Sequence, residues 1–323
     1  MSRTHPPRAL SKRTQHSWGI VLAGGEGRRL QQYIRTEYGN TRPKQFCTLF
    51  GSRTMLRNTV ERAAMLIPRD QLLTVVNRHH LSYAMEDLTD HPPHTVIIQP
   101  FSCETGPGIL LPLVHIAHRD PEAKVAIFPS DHFILEEERF MRHVREAFAR
   151  LNGFPGFIIT LGIEPSNLQP GYGWIERGES LGPQGKNLYR VRKFWEKPDQ
   201  EFARYLHLNG CLWNTMTIVG SASLFLNLYR ILVPEVYNPF QKIWNALGSS
   251  REEDVVEEVF RSLPSVDFSR AILERSPHHL AVLTVKNVYW SDWGDEHRVR
   301  ADLARFDGRH EQSEIPLHAG ISS

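Results

Sequence analysis

The pattern of apolar and polar positions divides the first 150 residues into alternating strands and helices. Four short apolar runs, the first beginning at Trp18, are typical of buried strands, and the segments between them have helical spacing. In 54–66, for example, Met55, Val60 and Ala63 fall near one helix face. This alternation predicts an α/β fold, with a Rossmann-like, mostly parallel mixed sheet flanked by helices. The strand runs lie at 18–23, 71–77, 95–100 and 124–132, and the helices at 54–66, 108–118 and 136–151.

The second half of the chain is less regular, but it also consists of predicted strands and helices. No internal repeat or linker marks a second domain, so we predict one domain over residues 18–308. Residues 1–17 are basic and poor in large apolar residues, so they predict a disordered tail, and 309–323 predict a flexible C-terminal tail. Predicted strands lie at 157–163, 172–176, 188–198, 212–220 and 279–285, and predicted helices at 199–207, 222–232, 251–261 and 295–305.

Composition and charge narrow the class of protein. The 323 residues are 41% hydrophobic and 23% charged, with a net charge of +2, so no broad field favours nucleic acid or anionic lipid. No apolar run approaches the roughly 20 residues that span a bilayer, and residues 1–17 lack the apolar core of a signal peptide. Three distant cysteines, Cys47, Cys103 and Cys211, predict neither disulfides nor a zinc site and fit a reducing cytoplasm.

The first strand ends in a glycine cluster that is typical of a phosphate-binding turn. Gly24, Gly25 and Gly27 let the backbone approach a ligand closely, and successive N–H groups in such a turn attract anions. Arg29 and Lys44 would add positive charge against a polyphosphate. A turn that merely connects strand and helix would not need these cations.

Two familiar glycine patterns do not fit this loop. No G-x-x-x-x-G-K-[S/T] string occurs in the chain, which excludes a P-loop. The dinucleotide fingerprint G-x-G-x-x-G fails because Leu30 stands at the third glycine position, so a NAD-dependent oxidoreductase is disfavoured. In a parallel sheet the ligand lies beyond the carboxyl ends of the strands. We therefore expect the glycine loop and Asp131, which follows a later strand, to lie on the same edge.

The string LAGGEGRRL followed by RPKQF resembles the signature of the sugar-1-phosphate nucleotidyltransferases. The PKQF form is most similar to the mannose-1-phosphate guanylyltransferase branch, and further resemblances in the same order cover roughly residues 18 to 300. The resemblance implies an enzyme that joins a nucleoside triphosphate, expected to be GTP, to a sugar 1-phosphate, expected to be mannose 1-phosphate. The products would be a nucleotide sugar and pyrophosphate. It implies small-molecule partners and a possible homo-oligomer, and the β-helix tail of some relatives is not expected.

The resemblance also assigns roles to individual residues. Arg29, Lys44 and Asp131 would be catalytic, and Asp131 and Asp292 would bind Mg²⁺, which prefers carboxylate oxygens. Asp131 lies in FPSDH, and Asp292 matches the acid of the family's W-x-D-x-G string. Either aspartate could instead cap a helix or turn. The nucleotide would contact Leu22, Ala23, Gly24, Gly25, Gly27, Gln99, Thr105 and Gly106, and the sugar phosphate would contact Gly173, Glu196, Lys197 and Asn214.

Four departures from the family pattern bear on specificity. Arg28 stands where the family has Thr, and the loop 31–42 is longer than usual. Residues 99–109, QPFSCETGPGI, resemble the family's base-contacting segment and are called the base segment. Cys103 and Glu104 replace Arg-Asn there, which puts guanine in doubt. Thr215-Met216 replaces Ser-Gly, which puts mannose in doubt.

Two alternatives to the nucleotidyltransferase hypothesis stay open. A non-catalytic sensor could bind a nucleotide sugar on the same fold, although it would not require Arg29, Lys44, Asp131 and Asp292 together. A metal-dependent glycosyltransferase would need an Asp-x-Asp pair after a strand, whereas the acids of SDWGD are three residues apart. The sixteen histidines, including the pair His79–His80, are expected to be solvated or partly buried rather than metal ligands.

Overall fold

A computed structural model describes residues 16–39, 41–182 and 187–310 of the chain. The strands are β1 Ser17–Ala23, β2 Leu72–Asn77, β3 Val96–Gln99, β4 Lys124–Pro129, β5 Phe133–Ile134, β6 Ile158–Ile163, β7 Gly173–Ser180, β8 Leu188–Glu196, β9 Leu212–Ser221, β10 Leu280–Val285 and β11 Trp290–Ser291. The helices are α1 Gln31–Tyr38, α2 Met55–Ala64, α3 Leu81–Asp87, α4 Thr105–Arg119, α5 Glu137–Arg150, α6 Gln200–Leu208, α7 Ala222–Leu232, α8 Pro234–Tyr237, α9 Phe240–Ala246, α10 Glu252–Ser262 and α11 Glu296–His310.

Nine strands of the described residues form one sheet in the order β3-β2-β1-β4-β9-β6-β10-β8-β7. The neighbours β3, β2, β1 and β4 run parallel, and β6 runs parallel to β10. β9 and β8 run antiparallel to their neighbours, so the second half of the chain reverses direction where the first half does not. The predicted mostly parallel mixed sheet is therefore confirmed, and its two sides differ in construction.

Helices cover both faces of the sheet because alternate residues of each buried strand point to opposite sides. Ile20 of β1 belongs to a core cluster shared with α4, α7, α9 and α10. Its neighbour Val21 belongs to the cluster on the other face, with α2 and α5. Both side chains are fully buried. The flanked arrangement predicted from the alternating pattern is thus observed.

A third apolar cluster closes the end of the sheet at which β1 and β4 terminate. In it Leu30 and Tyr33, from the N-terminal part of the chain, pack with Phe133, Trp293 and Phe306. The rings of Phe133 and Trp293 stack, with centroids 4.4 Å apart and an interplanar angle of 4°. This cluster packs α1 and α11 beside the loop that carries Asp292.

Two boundaries differ from the sequence predictions. The predicted disordered tail at 1–17 overlaps β1, because Ser17 already pairs with Lys124 of β4. His16 also contacts the Asp120 carboxylate, with Nδ1 2.9 Å from Oδ1. The rest of that tail, and nearly all of the C-terminal one, lie outside the described residues. The last helix runs to His310, beyond the predicted domain end at 308.

The residues that the structure describes contain no helix long and apolar enough to cross a bilayer. The three cysteines are buried and form no disulfide within the described part of the chain.

Candidate active site

The glycine loop is held by two side-chain amides that bind its carbonyl groups. Gln45 Nε2 donates to the carbonyl oxygens of Ala23 at 3.0 Å and Gly25 at 2.6 Å. Asn77 Nδ2, at the end of β2, donates to the carbonyl of Gly24 at 2.6 Å. With the carbonyls engaged, the N–H groups of Gly24, Gly25 and Gly27 have no partner among the described residues. The loop is therefore a fixed set of donors suited to an anion.

The loop needs glycine at one position in particular. Gly27 has φ of +62°, and a Cβ there would lie 2.9 Å from the backbone nitrogen of Lys44. The close approach places the glycine loop directly against the turn of PKQF, a 3-10 helix at Lys44–Phe46. Phe46 anchors that turn in the core, where it is 2% exposed.

Lys44 and Asp131 form an ion pair at the centre of the site. Lys44 Nζ lies 2.8 Å from Asp131 Oδ2 and donates to the carbonyls of Asp292 at 2.7 Å and Trp293 at 3.2 Å. The lysine is 4% exposed, whereas the Asp131 side chain is 39% exposed to the cavity. Burial alone would raise the pKa of Asp131, but the charges of Lys44, His132 and Arg29 and the hydrogen bond from Lys44 together outweigh it and hold the pKa below its usual value.

Asp292 is held by Arg298, a residue that no local sequence signal points to. Asp292 Oδ1 accepts from Arg298 Nη1 at 2.6 Å and from the N–H of Gly294 at 2.8 Å. The Arg298 guanidinium also lies 4.9 Å from the ring centre of Tyr172. A Cβ on Gly294 would lie 2.6 Å from Asp292 Oδ2 and 3.1 Å from Arg29 Nη1. Gly294 therefore makes room for the carboxylate and for both arginines.

One cavity of about 560 Å³ opens beside the glycine loop, on the parallel side of the sheet. Arg29, Lys44 and Asp131 line it, together with most of the residues predicted to contact the nucleotide. Those residues are Leu22, Gly24, Gly25, Gly27, Gln99 and Thr105.

Ala23 and Gly106 are not brought to this cavity. Ala23 is fully buried, and its carbonyl is bound by Gln45. Gly106 donates its N–H to the Val266 carbonyl at 2.7 Å and accepts at its own carbonyl from the Tyr229 hydroxyl at 2.7 Å. Both backbone groups of Gly106 are therefore used within the protein, and neither is available to a ligand.

A second cavity of about 290 Å³ lies on the antiparallel side of the sheet. All four residues predicted to contact the sugar phosphate line it, and so do Asp131 and Asp292. The four residues are Gly173, Glu196, Lys197 and Asn214. The two cavities share Arg29 and Asp131, so they meet at the Lys44–Asp131 pair.

The side chains of the second cavity are paired with one another. Lys197 Nζ lies 3.1 Å from Glu196 Oε1, and burial raises the pKa of Glu196 although Lys197 opposes the shift. Gly173 is required beside them, because a Cβ there would lie 2.9 Å from Glu196 Oε2. Asn214 Oδ1 accepts from the Thr160 hydroxyl at 2.7 Å and from the N–H of Met216 at 3.1 Å. Only the Nδ2 of Asn214 is left for a strong hydrogen bond to a ligand.

Backbone strain is concentrated around the two cavities. Five described residues other than glycine have positive φ, and Glu104, Lys197, Met216 and Trp293 among them line a cavity. Each such residue costs on the order of 1 kcal/mol, and strain of this kind clusters at binding and catalytic sites. The strained residues therefore lie around the same cavities as the glycine loop and the Lys44–Asp131 ion pair.

One cluster of metal-ligating side chains in the described part of the chain lies apart from Asp131 and Asp292. It consists of Glu26, His79 and His80, whose ligand atoms fall within 4.8 Å of one another. His79 Nε2 lies 3.2 Å from Glu26 Oε1, and Asn77 Nδ2 also donates to that oxygen. No carboxylate stands at zinc-like spacing from the histidine pair in the sequence, and the fold brings Glu26 to it from the glycine loop. These contacts hold the Glu26 side chain in place within that loop.

A glycine loop at the end of the first parallel strand, cations beside it and two aspartates at a shared cavity form the arrangement that the sequence predicts for a nucleotidyltransferase site. The family model described as nucleotidyl transferase matches residues 18–299. The chain belongs to the nucleotidyl transferase family.

Its curated relatives carry a more specific name. The chain is 31% identical over 286 residues to mannose-1-phosphate guanylyltransferase of Salmonella muenchen, covering 85% of this chain and 57% of that protein. It is 30% identical over 296 residues to xanthan biosynthesis protein XanB of Xanthomonas campestris pv. campestris strain B100, covering 90% of this chain and 60% of that protein. The chain thus spans little more than half the length of these relatives.

Solved structures support the fold. A crystal structure described as mannose-1-phosphate geranyltransferase from Thermus thermophilus matches with a TM-score of 0.75 at 24% identity, covering 89% of this chain and 80% of that chain. One described as mannose-6-phosphate isomerase from Helicobacter pylori matches with a TM-score of 0.65 at 22% identity, covering 85% of this chain and 99% of that chain. Both similarities concern the α/β architecture.

Proposed function

We propose that this chain transfers a guanylyl group from GTP to mannose 1-phosphate, producing GDP-mannose and pyrophosphate. The observation that carries the proposal is the Lys44–Asp131 pair, 2.8 Å apart, at the point where the two cavities meet. A nucleotide in one cavity and a sugar phosphate in the other would bring their phosphates together there. The name of the Salmonella muenchen relative, mannose-1-phosphate guanylyltransferase, favours guanine and mannose as the two specificities.

The chemistry needs positioning and charge neutralisation rather than a covalent nucleophile. An oxygen of the sugar phosphate forms a bond to the α-phosphorus of GTP as the bond from that phosphorus to the α–β bridging oxygen breaks. Pyrophosphate then leaves. The attacking oxygen is already anionic at neutral pH, so no general base is required. Negative charge accumulates on the phosphates throughout, and donors fixed in advance stabilise it.

The nucleotide cavity supplies these donors from backbone and cations. The free N–H groups of Gly24, Gly25 and Gly27 would bind the triphosphate. Arg29 lines both cavities and would neutralise the phosphates of both substrates, and Lys44 would face the leaving pyrophosphate. Lys44 is restrained by three oxygens, so it is fixed in place before the substrate arrives.

The sugar cavity supplies side chains instead. Lys197 would pair with the sugar phosphate, exchanging its contact with Glu196 for one with the ligand. Glu196 and the Nδ2 of Asn214 would then bind sugar hydroxyls, and the missing Cβ of Gly173 leaves space for the ring. Lys197 would thus exchange partners on binding.

A divalent metal fits this site. Members of the family generally depend on one, and two carboxylates with free oxygens line the sugar cavity. Gly294 keeps Oδ2 of Asp292 accessible, since a Cβ would lie 2.6 Å from it. Asp131 and Asp292 would hold the ion, which we propose to be Mg²⁺. When bound, Mg²⁺ would supply positive charge to the phosphates in the transition state.

The proposal extends to the partners, the cellular location and the extent of the transferase unit. The substrates would be small molecules, and we expect no nucleic-acid or membrane partner. Buried cysteines without a disulfide among the described residues fit the cytoplasm. The transferase unit would be residues 18–308, and it could form a homo-oligomer.

The test is pyrophosphate release from a matrix of five nucleoside triphosphates against mannose 1-phosphate, glucose 1-phosphate and other sugar 1-phosphates, with Mg²⁺ or with EDTA. We expect magnesium-dependent release with GTP and mannose 1-phosphate, abolished in Asp131→Ala. Release with another pair would keep the reaction and change the specificity. Binding of a nucleotide sugar without turnover of any pair would support the sensor alternative and contradict the proposal.

A further inference from the structure

Glu104 occupies a backbone conformation that suits glycine, at the entrance to the nucleotide cavity. Its φ is 65° and its ψ is −172°, a region essentially reserved for glycine. Two hydrogen bonds to Val266 hold the segment in this shape. The Val266 N–H donates to the Cys103 carbonyl at 3.2 Å, and the Gly106 N–H donates to the Val266 carbonyl at 2.7 Å. The fold therefore imposes the conformation and a side chain is present despite its cost.

The Glu104 carboxylate stabilises nothing within the described residues. It is exposed, lines the nucleotide cavity and has no hydrogen bond or ion pair to any described residue. The strain at this residue is thus not offset by a contact within the fold. A free carboxylate at a ligand cavity is instead available to a ligand.

The surroundings of Glu104 suit a flat base with donor groups on its edge. Leu22 and Val75 provide apolar contact in the same cavity. Gln99 Nε2 is engaged, because it donates to the Phe101 carbonyl at 2.6 Å. Its Oε1 stays available and lies 3.1 Å from the Cβ position of Gly108. The charged and amide groups at this end therefore present oxygen acceptors.

Among the nucleobases, guanine has the edge that matches a carboxylate. Its N1–H and its exocyclic N2 amino group are adjacent donors, and two carboxylate oxygens can accept from both. Adenine and cytosine place a single amino donor beside a ring nitrogen acceptor, and uracil places one N–H between two carbonyl oxygens. A carboxylate repels each of those acceptors. Charge-assisted hydrogen bonds are also about twice as strong as neutral ones.

We infer that Glu104 is the residue that selects guanine, with its two carboxylate oxygens accepting from N1–H and from the N2 amino group. The inference rests on the proposed function, whose base it explains. The replacement of Asn by Glu, which in the sequence puts guanine in doubt, becomes an argument for guanine once the cavity is known.

The experiment compares the binding of GTP, ITP and ATP, since ITP lacks only the N2 amino group. Isothermal titration without sugar 1-phosphate measures binding separately from turnover. Wild-type protein should bind GTP at least about tenfold more tightly than ITP, because a hydrogen bond to a charged group contributes that much or more. In Glu104→Gln and Glu104→Gly this ratio should fall below about 3. Glu235→Gln, an exposed glutamate on α8 outside the described cavities, should keep the wild-type ratio.

Different outcomes separate the inference from the function on which it rests. If wild-type protein binds none of the three nucleotides, the proposed function itself fails. If it binds GTP but the ratio of GTP to ITP affinity is the same in wild type and both Glu104 variants, Glu104 does not contact the N2 amino group. The inference is then wrong while the proposed function stands.

The thermal unfolding midpoint of Glu104→Gly distinguishes a role in ligand selection from a role in stabilising the fold. Glycine relieves the strain at φ 65°, so the midpoint should rise by about 2 °C while guanine selectivity is lost. A lower midpoint would mean that the side chain stabilises the fold, and would contradict the assignment of Glu104 to ligand selection.

Discussion

The two cavities of the site are built in different ways. The proposed nucleotide cavity lies at the parallel strands and presents backbone N–H groups of a glycine loop, whose carbonyls Gln45 and Asn77 hold. The proposed sugar cavity lies at the antiparallel strands and is lined by side chains that pair with one another, such as Glu196 and Lys197. Under the proposal, the first would be complete before a ligand arrives, and the second would exchange contacts on binding. The difference predicts that substitutions in each cavity affect different substrates.

The largest effect is expected where the cavities meet. Asp131→Asn should lower turnover by about 10³-fold or more, because it removes a proposed metal ligand and the charge partner of Lys44. GTP affinity in EDTA should change much less. Pyrophosphate release measures the first and isothermal titration the second. Asp70→Asn, on an exposed turn, is the control and should retain full turnover. Turnover within tenfold of wild type would exclude Asp131 from the catalytic centre.

Lys197→Met should separate the two cavities. It should raise the KM for mannose 1-phosphate by about 10- to 100-fold, since a charged contact to phosphate is lost. The KM for GTP should change by less than about threefold, because no nucleotide donor is touched. Lys193→Met, on β8 four residues before Lys197, is the control, since Lys193 is exposed and lines no described cavity. Equal changes in both KM values would show that the cavities are not independent.

Acid should weaken the helix that begins at the base segment. His115 in α4 is buried, which lowers its pKa from 6.5 to about 4 although Glu252 opposes the shift. Between these values the unfolded chain binds a proton that the folded chain does not. The contribution of neutral, buried His115 to the free energy of unfolding is thus complete above about pH 6.5 and is lost as the pH falls toward 4.

His115→Leu removes the contribution of this residue. The unfolding free energy should lose roughly 2 kcal/mol less between pH 7 and pH 4 in this variant than in wild type, as measured by urea titration. His94→Gln, at an exposed histidine, should keep the wild-type slope. An unchanged slope in His115→Leu would mean that the imidazole is already charged in the native state.

The smallest effect compares two glycines of one loop. Gly27→Ala should lower the unfolding free energy by about 1 to 2 kcal/mol, because φ is +62° and the Cβ meets the Lys44 backbone. Gly25→Ala should stay within about 0.5 kcal/mol of wild type, since nothing lies within 4 Å of its Cβ position. Equal losses would contradict the geometry of the loop.

Much of the fold could be predicted because the local pattern of apolar and polar residues determines its strands and helices. The strand beginning at Trp18 and the helix of 54–66 follow from periodicity, and their alternation implies the parallel half of the sheet. The reversal of β8 and β9 does not follow, since hydrophobic pattern carries no strand direction. Strand pairing across distant segments decides it, as between Trp174 and Trp213.

The candidate site was predictable only as far as its motifs reach. LAGGEGRRL and RPKQF give the loop and Lys44, but Arg298 joins Asp292 through tertiary packing alone. Ala23 and Gly106 belong to the right segments, yet their backbone groups are used within the protein. For Glu104 the sequence shows only a departure from the family pattern. Its meaning depends on a backbone conformation and a cavity that the fold creates.

The most direct test follows the α-phosphate of GTP. Protein is incubated with Mg²⁺, mannose 1-phosphate and GTP labelled at the α- or the γ-phosphate, beside Asp131→Asn. We expect the α-label to appear in GDP-mannose and the γ-label in pyrophosphate, and the variant to form neither at a comparable rate. Release of the α-label as free nucleotide, or of the γ-label as inorganic phosphate, would mean hydrolysis or phosphoryl transfer. Either result would contradict the proposed guanylyl transfer.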